Sequence, residues 1–207
     1  MGQKINPVGF RVSVNNNWSS VWYDDANYRK NLINDLQIQN YVAKNFKKYS
    51  ISRVVLERMG ENLNILIKTS KPGVLIGKKG SDMEKIKKFA ENLREKNVAV
   101  KIVETEKPDM DAELVGQSIA RQIENRATFK RVVKKALQSV MKYGALGVKI
   151  MISGRLNGVD ISRTETYKEG STPLQSLRSN IDYAQAEALC SYGIIGIKVW
   201  IYKKSAN

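Results

Sequence analysis

Between residues 74 and 83 the chain reads Val74-Leu75-Ile76-Gly77-Lys78-Lys79-Gly80-Ser81-Asp82-Met83: an apolar stretch, a lysine pair bracketed by glycines, and the opening of a helix. A turn this tight must join two packed elements, which fixes much of what surrounds it. Upstream, Ile51 to Arg58 and then Leu63, Ile65 and Ile67, alternating with Asn64 and Lys68, predict two strands joined by a turn at Gly60-Glu61-Asn62. Downstream, Met83, Ile86, Ala90 and Leu93 share one stripe of an amphipathic helix, and Val98, Val100 and Ile102 alternate as a third strand. Helical patterning from about Asp25 to Lys48, with Leu32, Ile33, Leu36 and Phe46 at its buried positions, precedes the strands. The order helix, strand, strand, helix, helix, strand predicts a compact α+β unit of roughly 90 residues, three strands covered by helices. Thr105-Glu106-Lys107-Pro108-Asp109 ends it.

The glycines at 77 and 80 let the backbone come close to a sugar-phosphate chain, and Lys78 and Lys79 are the only side chains in the turn. Ser81 or Asp82 can cap the next helix, whose free N–H groups then add an uncharged attraction for phosphate. This is the shape of a clamp for single-stranded RNA, reading backbone rather than bases. Spacing alone is weak, because Gly144-Ala-Leu-Gly147 and Gly193-Ile-Ile-Gly196 have it too; they hold only apolar residues and read as turns. A nucleotide-binding loop is excluded, since Gly73 to Lys79 is one residue short of the phosphate-binding pattern and lacks the hydroxyl that would hold magnesium.

The second half opens with two helices. Leu114, Val115, Ile119 and Ile123 line one side of the first; Phe129, Val132, Val133, Ala136, Leu137, Val140 and Met141 recur at helical spacing in the second. On the opposite side of that second helix fall Lys130, Arg131, Lys134, Lys135 and Lys142. A charge run is usually a solvated face, but no acidic residue lies between Ala127 and Gly147 to pair with this one. From Gly147 onward the pattern is a sheet: Val148 to Ser153, Val159 to Tyr167, Ile181 to Ser191, then Ile197, Val199 and Ile201 alternating with Lys198, Trp200 and Tyr202. Ser191-Tyr192-Gly193 suggests that the last two strands form a hairpin. The expected fold is therefore α+β in two domains. A three-stranded sheet with helices spans 18–106, two helices on a four-stranded, mostly antiparallel sheet span 107–207, and residues 1–17 form an extended arm with Lys4 and Arg11.

A formal charge of +15 on 207 residues calls for a polyanionic partner. Nucleic acid fits better than membrane, because no apolar run reaches spanning length and the start has no secretory core. The expected address is cytoplasmic. With no histidine and one cysteine, the usual zinc sites, histidine-dependent triads and an internal disulfide cannot be built. Cys190, between apolar neighbours, reads as a packing residue. Asp109, Asp111 and Glu113 lie at a helix start, where carboxylates are expected for dipole reasons, so a nuclease or lyase reading is poor and no cofactor is expected.

The first unit resembles a K-homology domain of the second topology, in which the clamp follows two strands. The whole chain resembles the family of bacterial small-subunit ribosomal protein three. The likeness rests on Gly2-Gln3-Lys4, Asn6-Pro7, Gly9-Phe10, the clamp, Ser153-Gly154-Arg155-Leu156, Arg163-Thr164-Glu165, Gly170, Pro173-Leu174, Leu177-Arg178, Ile181-Asp182-Tyr183, and Tyr192-Gly193 through Lys198-Val199-Trp200. The resemblance implies a non-enzymatic, structural component of the small-subunit head. It would bind rRNA and lie beside the channel by which mRNA enters, with ribosomal proteins ten and fourteen as neighbours in the head and four and five near the channel. It further matches the family's basic face to Lys130, Arg131 and Lys134, which would help to open mRNA duplexes; from spacing and charge, RNA contact is also expected at Gly77, Lys78, Lys79 and Gly80, at Lys135, and at Lys4, Arg155, Arg163 and Arg178. Three positions depart from many relatives: Asn6 for histidine, Lys130 for arginine, and Tyr167 for tryptophan. Lysine keeps the charge and loses the planar fork. A free K-homology regulator of RNAs is the alternative; it explains the clamp but not the matched second half or the wide spread of charge from Lys4 to Lys203.

Overall fold

The structure, a computed structural model, describes residues 4–60, 62–77, 80–93 and 97–204. Its elements are α1 (Pro7–Phe10), β1 (Ser20–Val21), α2 (Tyr28–Asn45), β2 (Ile51–Met59), β3 (Asn62–Thr69), α3 (Pro72–Ile76), α4 (Ser81–Asn92), β4 (Asn97–Glu104), α5 (Ala112–Glu124), α6 (Phe129–Lys142), β5 (Gly147–Gly154), β6 (Arg163–Gly170), β7 (Ile181–Cys190) and β8 (Gly193–Tyr202), with single 3-10 turns at Lys47–Tyr49, Pro108–Met110 and Leu156–Gly158. The chain divides into two compact units: Trp18–Glu106, and Lys107 onward together with the residues up to Asn17.

In the first unit β2 runs antiparallel to β3 and β3 parallel to β4, placing Leu56, Ile65 and Val100 on neighbouring positions across the sheet. Alternation along β3 sends Leu63, Ile65 and Ile67 into a core closed by Ile38, Val42 and Phe46 of the α2 segment, Leu75 of α3, and Ile86 and Ala90 of α4. The sheet carries a fourth strand that the sequence pattern misses, the two-residue β1, parallel to β2 through Ser20 and Val21. Two residues are too few to show an alternation.

The inward face of α2 differs from expectation. Phe46 is buried, but Ile33 and Leu36 are 44% and 50% exposed, and Leu32 is only half-buried. The stripe that faces the core is Asp35, Ile38 and Val42. Asp35, 1% exposed, accepts hydrogen bonds from Trp22 Nε1 at 2.8 Å and Arg58 Nε at 3.0 Å. A charged residue at an inner position reads in the sequence as a solvent position, and so it displaced the predicted phase of the helix. The apolar stretch before the clamp is also more than a turn: Pro72, at the first position of α3, fixes φ for a helix that ends at Gly77 and buries Leu75.

In the second unit the sheet order is β6-β5-β8-β7, antiparallel throughout. Val148, Ile150 and Ile152 stand opposite Ile201, Val199 and Ile197, and all six are buried under α5 and α6 with Ile119, Ile123, Phe129, Val133 and Val140. Asp111 caps α5, accepting from the N–H of Glu113 at 3.0 Å and of Leu114 at 3.3 Å, which explains its place at the helix start. Cys190 packs half-buried against this core.

β7 and β8 pair along their whole length around Ser191 and Tyr192, the expected hairpin, and Gly193–Gly196 is therefore the start of a strand rather than a turn. β6 begins at Arg163 instead of Val159. Arg155 holds the preceding segment away from the ladder, donating to the carbonyl of Val159 at 3.0 Å and to Asp160 at 2.7 Å, and leaves Ile161 82% exposed.

The arm is not extended. Asn6 caps α1 through its side-chain oxygen, α1 packs against β7, and Arg11 is fully buried. Its guanidinium donates to the carbonyls of Pro7 (3.1 Å), Pro173 (3.4 Å), Leu174 (3.0 Å), Ser176 (2.8 Å) and Ser179 (2.8 Å). Residues 4–17 therefore fold with a connection more than 160 residues downstream.

Candidate nucleic-acid interface

α6 is the most polarised element of the chain. Phe129, Val132, Val133, Leu137 and Val140 are buried, while Lys130, Arg131, Lys134, Lys135 and Lys142 are all exposed. On a helix, residues four apart lie one turn above each other, so Lys130 stacks with Lys134 and Arg131 with Lys135, and the face to Lys142 extends about 18 Å. None of the five takes part in an ion pair among the described residues. Desolvated or paired cations would have little left to offer a ligand; these have their full charge in solvent. At the start of α6, Thr128 makes no side-chain cap, so backbone donors face the same region as Lys130 and Arg131.

Arg126 is a further cation in the loop before α6, exposed and held at φ +62°. It adjoins this face in sequence but stands before the periodic segment, so apolar spacing does not mark it. The left-handed backbone of a non-glycine residue there is the structural mark that could not be read from spacing.

The other expected contacts differ among themselves. Lys4 and Arg178 are exposed, Arg178 on the connection that the buried Arg11 organises. Arg163 lies 3.1 Å from Glu165, an exposed pair with little hold on either partner. Arg155 is occupied: besides Val159 and Asp160 it donates to the carbonyl of Tyr192 at 3.2 Å, so its structural work is to shape the 155–160 turn.

At the clamp, Lys78 and Lys79 lie outside the described residues. Gly77, at φ +70° and ψ −175°, has a conformation open to glycine alone, and Gly80, at φ +78°, is left-handed. Neither Ser81 nor Asp82 caps α4; Gly80 holds the cap position. Asp82 instead points its carboxylate back toward Gly77, within 3.2 Å of where a Cβ there would stand, and accepts hydrogen bonds from Tyr49 Oη at 2.8 Å and Lys85 Nζ at 2.6 Å. The Lys85 bond, then the Tyr49 bond, holds its pKa below the usual carboxylate value, so it is anionic at neutral pH. The helix start that was to attract phosphate already faces an anion of its own. Asp82→Asn is accordingly expected to raise RNA crosslinking to the peptide around residues 71–85 roughly threefold to tenfold, the effect of about 1 kcal/mol of removed repulsion; unchanged crosslinking would show that phosphate does not approach this helix start.

A helix-strand-strand-helix-helix-strand unit with a glycine-hinged turn, in one chain with an acid-free basic helix, defines an RNA-binding protein of the K-homology class. The KH domain family matches residues 37–110, and the family described as ribosomal protein S3, C-terminal domain, matches residues 119–201. The chain is 50% identical over 204 residues to small ribosomal subunit protein uS3 of Wolbachia sp. subsp. Brugia malayi, covering 98% of each chain. To uS3 of Ligilactobacillus salivarius it is 48% identical over 203 residues, 98% of this chain and 93% of that one. To uS3 of Polaromonas naphthalenivorans it is 50% identical over 204 residues, 98% of this chain and 69% of the other. The chain belongs to the small ribosomal subunit protein uS3 family. It is thus a structural, non-enzymatic constituent of the small subunit of the cytoplasmic ribosome.

Proposed function

We propose that this chain binds small-subunit rRNA in the subunit head and presents α6 to mRNA at the channel where mRNA enters, holding the incoming strand while translocation separates duplexes. The observation that carries the reading is the row of exposed cations on α6 without acidic partners among the described residues. Such a face binds phosphates of any sequence, which a channel for every mRNA requires. It contains no catalytic group, so the free energy for strand opening comes from translocation, and the helix acts by keeping an opened strand from re-pairing. Ribosomal proteins ten and fourteen in the head, and four and five near the channel, are the proposed protein neighbours. The glycine turn with Lys78 and Lys79, and Lys4, Arg163 and Arg178, are secondary RNA contacts in this reading; Arg155 contributes through the turn it holds. A free regulator of RNAs would need neither the Arg11-bound arm nor the second unit.

Alanine at Lys130, Arg131 and Lys134 is the direct test. The three side chains are exposed and leave the buried stripe intact, so subunit assembly on sucrose gradients is expected to be near normal. If each phosphate pairing contributes about 0.5 kcal/mol, as exposed charge pairs do, transit through a stable mRNA hairpin slows roughly tenfold while unstructured mRNA is read at the ordinary rate. Equal transit of the hairpin by variant and parent ribosomes removes the mRNA role from this helix.

A further inference from the structure

The face of the β5–β8 sheet opposite α5 and α6 carries its own pattern. Alternation puts Lys149 and Met151 of β5, Lys198 and Trp200 of β8, Tyr183 and Gln185 of β7, and Thr166 and Lys168 of β6 on that side. The register arranges them in two adjoining rungs, Lys168-Lys149-Trp200-Tyr183 and Thr166-Met151-Lys198-Gln185. Three lysines on three neighbouring strands, roughly 5 Å apart per strand, therefore converge on one patch. Like charges directly opposite each other, as Lys149 and Lys168 are, disfavour the strand pair that holds them. None of the three forms an ion pair among the described residues. Glu187, the outward carboxylate on β7, is one rung beyond, opposite Gly196.

The aromatic part of the patch is already packed. Trp200 is 8% exposed, lies 4.9 Å beneath the Lys149 ammonium, and meets Tyr183 at a ring separation of 5.2 Å; Gln185 donates to the Tyr183 hydroxyl. The indole thus fixes the lysine in place and offers no open ring on which a base could stack. Thr166 and Lys168 are exposed, and Lys149 and Lys198 half-exposed. Three cations, one of them held on Trp200, beside a hydroxyl and without an open ring to stack on, suit the phosphates of a folded RNA rather than its bases.

We propose that this outer sheet face is a second RNA-docking surface, separate from α6 and the glycine turn, which takes one or two neighbouring phosphates of structured rRNA on Lys149, Lys168 and Lys198. It rests on the reading of the chain as an rRNA-binding protein. The docking is independent of base identity, and the compensation for crowding like charges on β5 and β6 is the anion itself.

The test is binding of the full-length protein to transcribed small-subunit rRNA across a salt series, with K149E/K168E/K198E beside the parent and K130E/K134E/K135E. The sheet variant is expected to lower affinity at least thirtyfold and to reduce the slope of log affinity against log salt by about 1–2, as loss of one or two phosphate contacts would. K168E/K198E, which leaves Lys149 on Trp200, carries the test if the triple variant loses its near-UV circular dichroism; it is expected to lose about tenfold. Parent-like affinity and slope for a folded sheet variant, with K130E/K134E/K135E weakened, overturns this surface alone. A parent protein with no salt-dependent rRNA binding overturns the underlying reading with it. Lysine acetylation in assembled subunits separates the remaining occupant: protection of Lys149, Lys168 and Lys198 that is relieved by nuclease supports RNA, and protection that survives nuclease means a protein covers the face and overturns the proposal.

Discussion

Leucine in place of Arg11 is expected to destabilise the second unit by about 3–5 kcal/mol. The five carbonyls that the guanidinium serves come from α1 and from the 173–179 connection, two segments with no regular ladder to each other. Each is a buried or half-buried acceptor, and an acceptor left unmet costs about 1–3 kcal/mol, less where water can reach it. Burial draws the Arg11 pKa below the usual arginine value, because desolvation disfavours the charged form. Lysine at this position keeps the charge, but three donors on one nitrogen cannot reach acceptors spread around a planar fork, so it should recover less than half of the loss. The change should appear as a fall in the melting temperature of that unit by roughly 10–20 °C and as early protease cleavage within residues 4–17. A loss under about 1 kcal/mol would mean that water satisfies these carbonyls without the arginine.

The arm has a functional consequence. Arg178 and Leu177 are presented outward from the connection that Arg11 ties down, and Asn15 holds the carbonyl of Leu177 at 2.9 Å. The proposed RNA contact at Arg178 would therefore depend on a side chain near the start of the chain. Weakening of rRNA binding by Arg11→Leu would come through this loop, without Arg11 touching RNA.

What the sequence showed well and what it hid divide along physical lines. Alternating strands such as β3 and β8 and the two-faced α6 were legible because burial imposes period 2 or 3.6 on apolar residues. The cations of α6 were legible for the same reason, since they occupy the complement of a clear stripe. Hidden were the places where a polar residue goes inside. Asp35 broke the stripe of α2 and shifted its predicted phase, Arg11 looked like a surface cation of an extended arm, and Asp82 looked like a helix cap while it faces Gly77. For Asp35 and Arg11 the compensating partners are distant in sequence, Arg58 and the 173–179 carbonyls, while Asp82 has one near partner, Lys85, and one distant, Tyr49. Local pattern carries no trace of a partner 23 or more residues away. The bonds of Arg155 to Val159, Asp160 and Tyr192 were hidden for a related reason, because only the folded turn supplies them.

Alanine at Asp35 is expected to cost the K-homology unit about 3–5 kcal/mol, a large share of the stability of a domain this size. The carboxylate is 1% exposed and joins three elements: Trp22 after β1, α2 itself, and Arg58 on β2. Removing it takes the Asp35 bond from the Arg58 guanidinium, whose side chain is 9% exposed, and takes this acceptor from the Trp22 indole N–H. That is the costly direction, because a buried charge that loses its partner keeps its desolvation penalty and gives up the attraction that offset it. Removing both charges is different. Asp35→Leu with Arg58→Met takes away the penalty together with the attraction, and is expected to recover most of the loss, leaving about 1–2 kcal/mol for the orphaned indole N–H. A thermodynamic cycle of the two single changes and the double, followed by urea unfolding with Trp22 fluorescence as one probe, reads the coupling directly. Coupling above about 2 kcal/mol makes the pair the clasp that holds β1 and α2 to the sheet edge. Additive losses would mean that Asp35 matters for Trp22 alone, and the double variant would then be the least stable of the three.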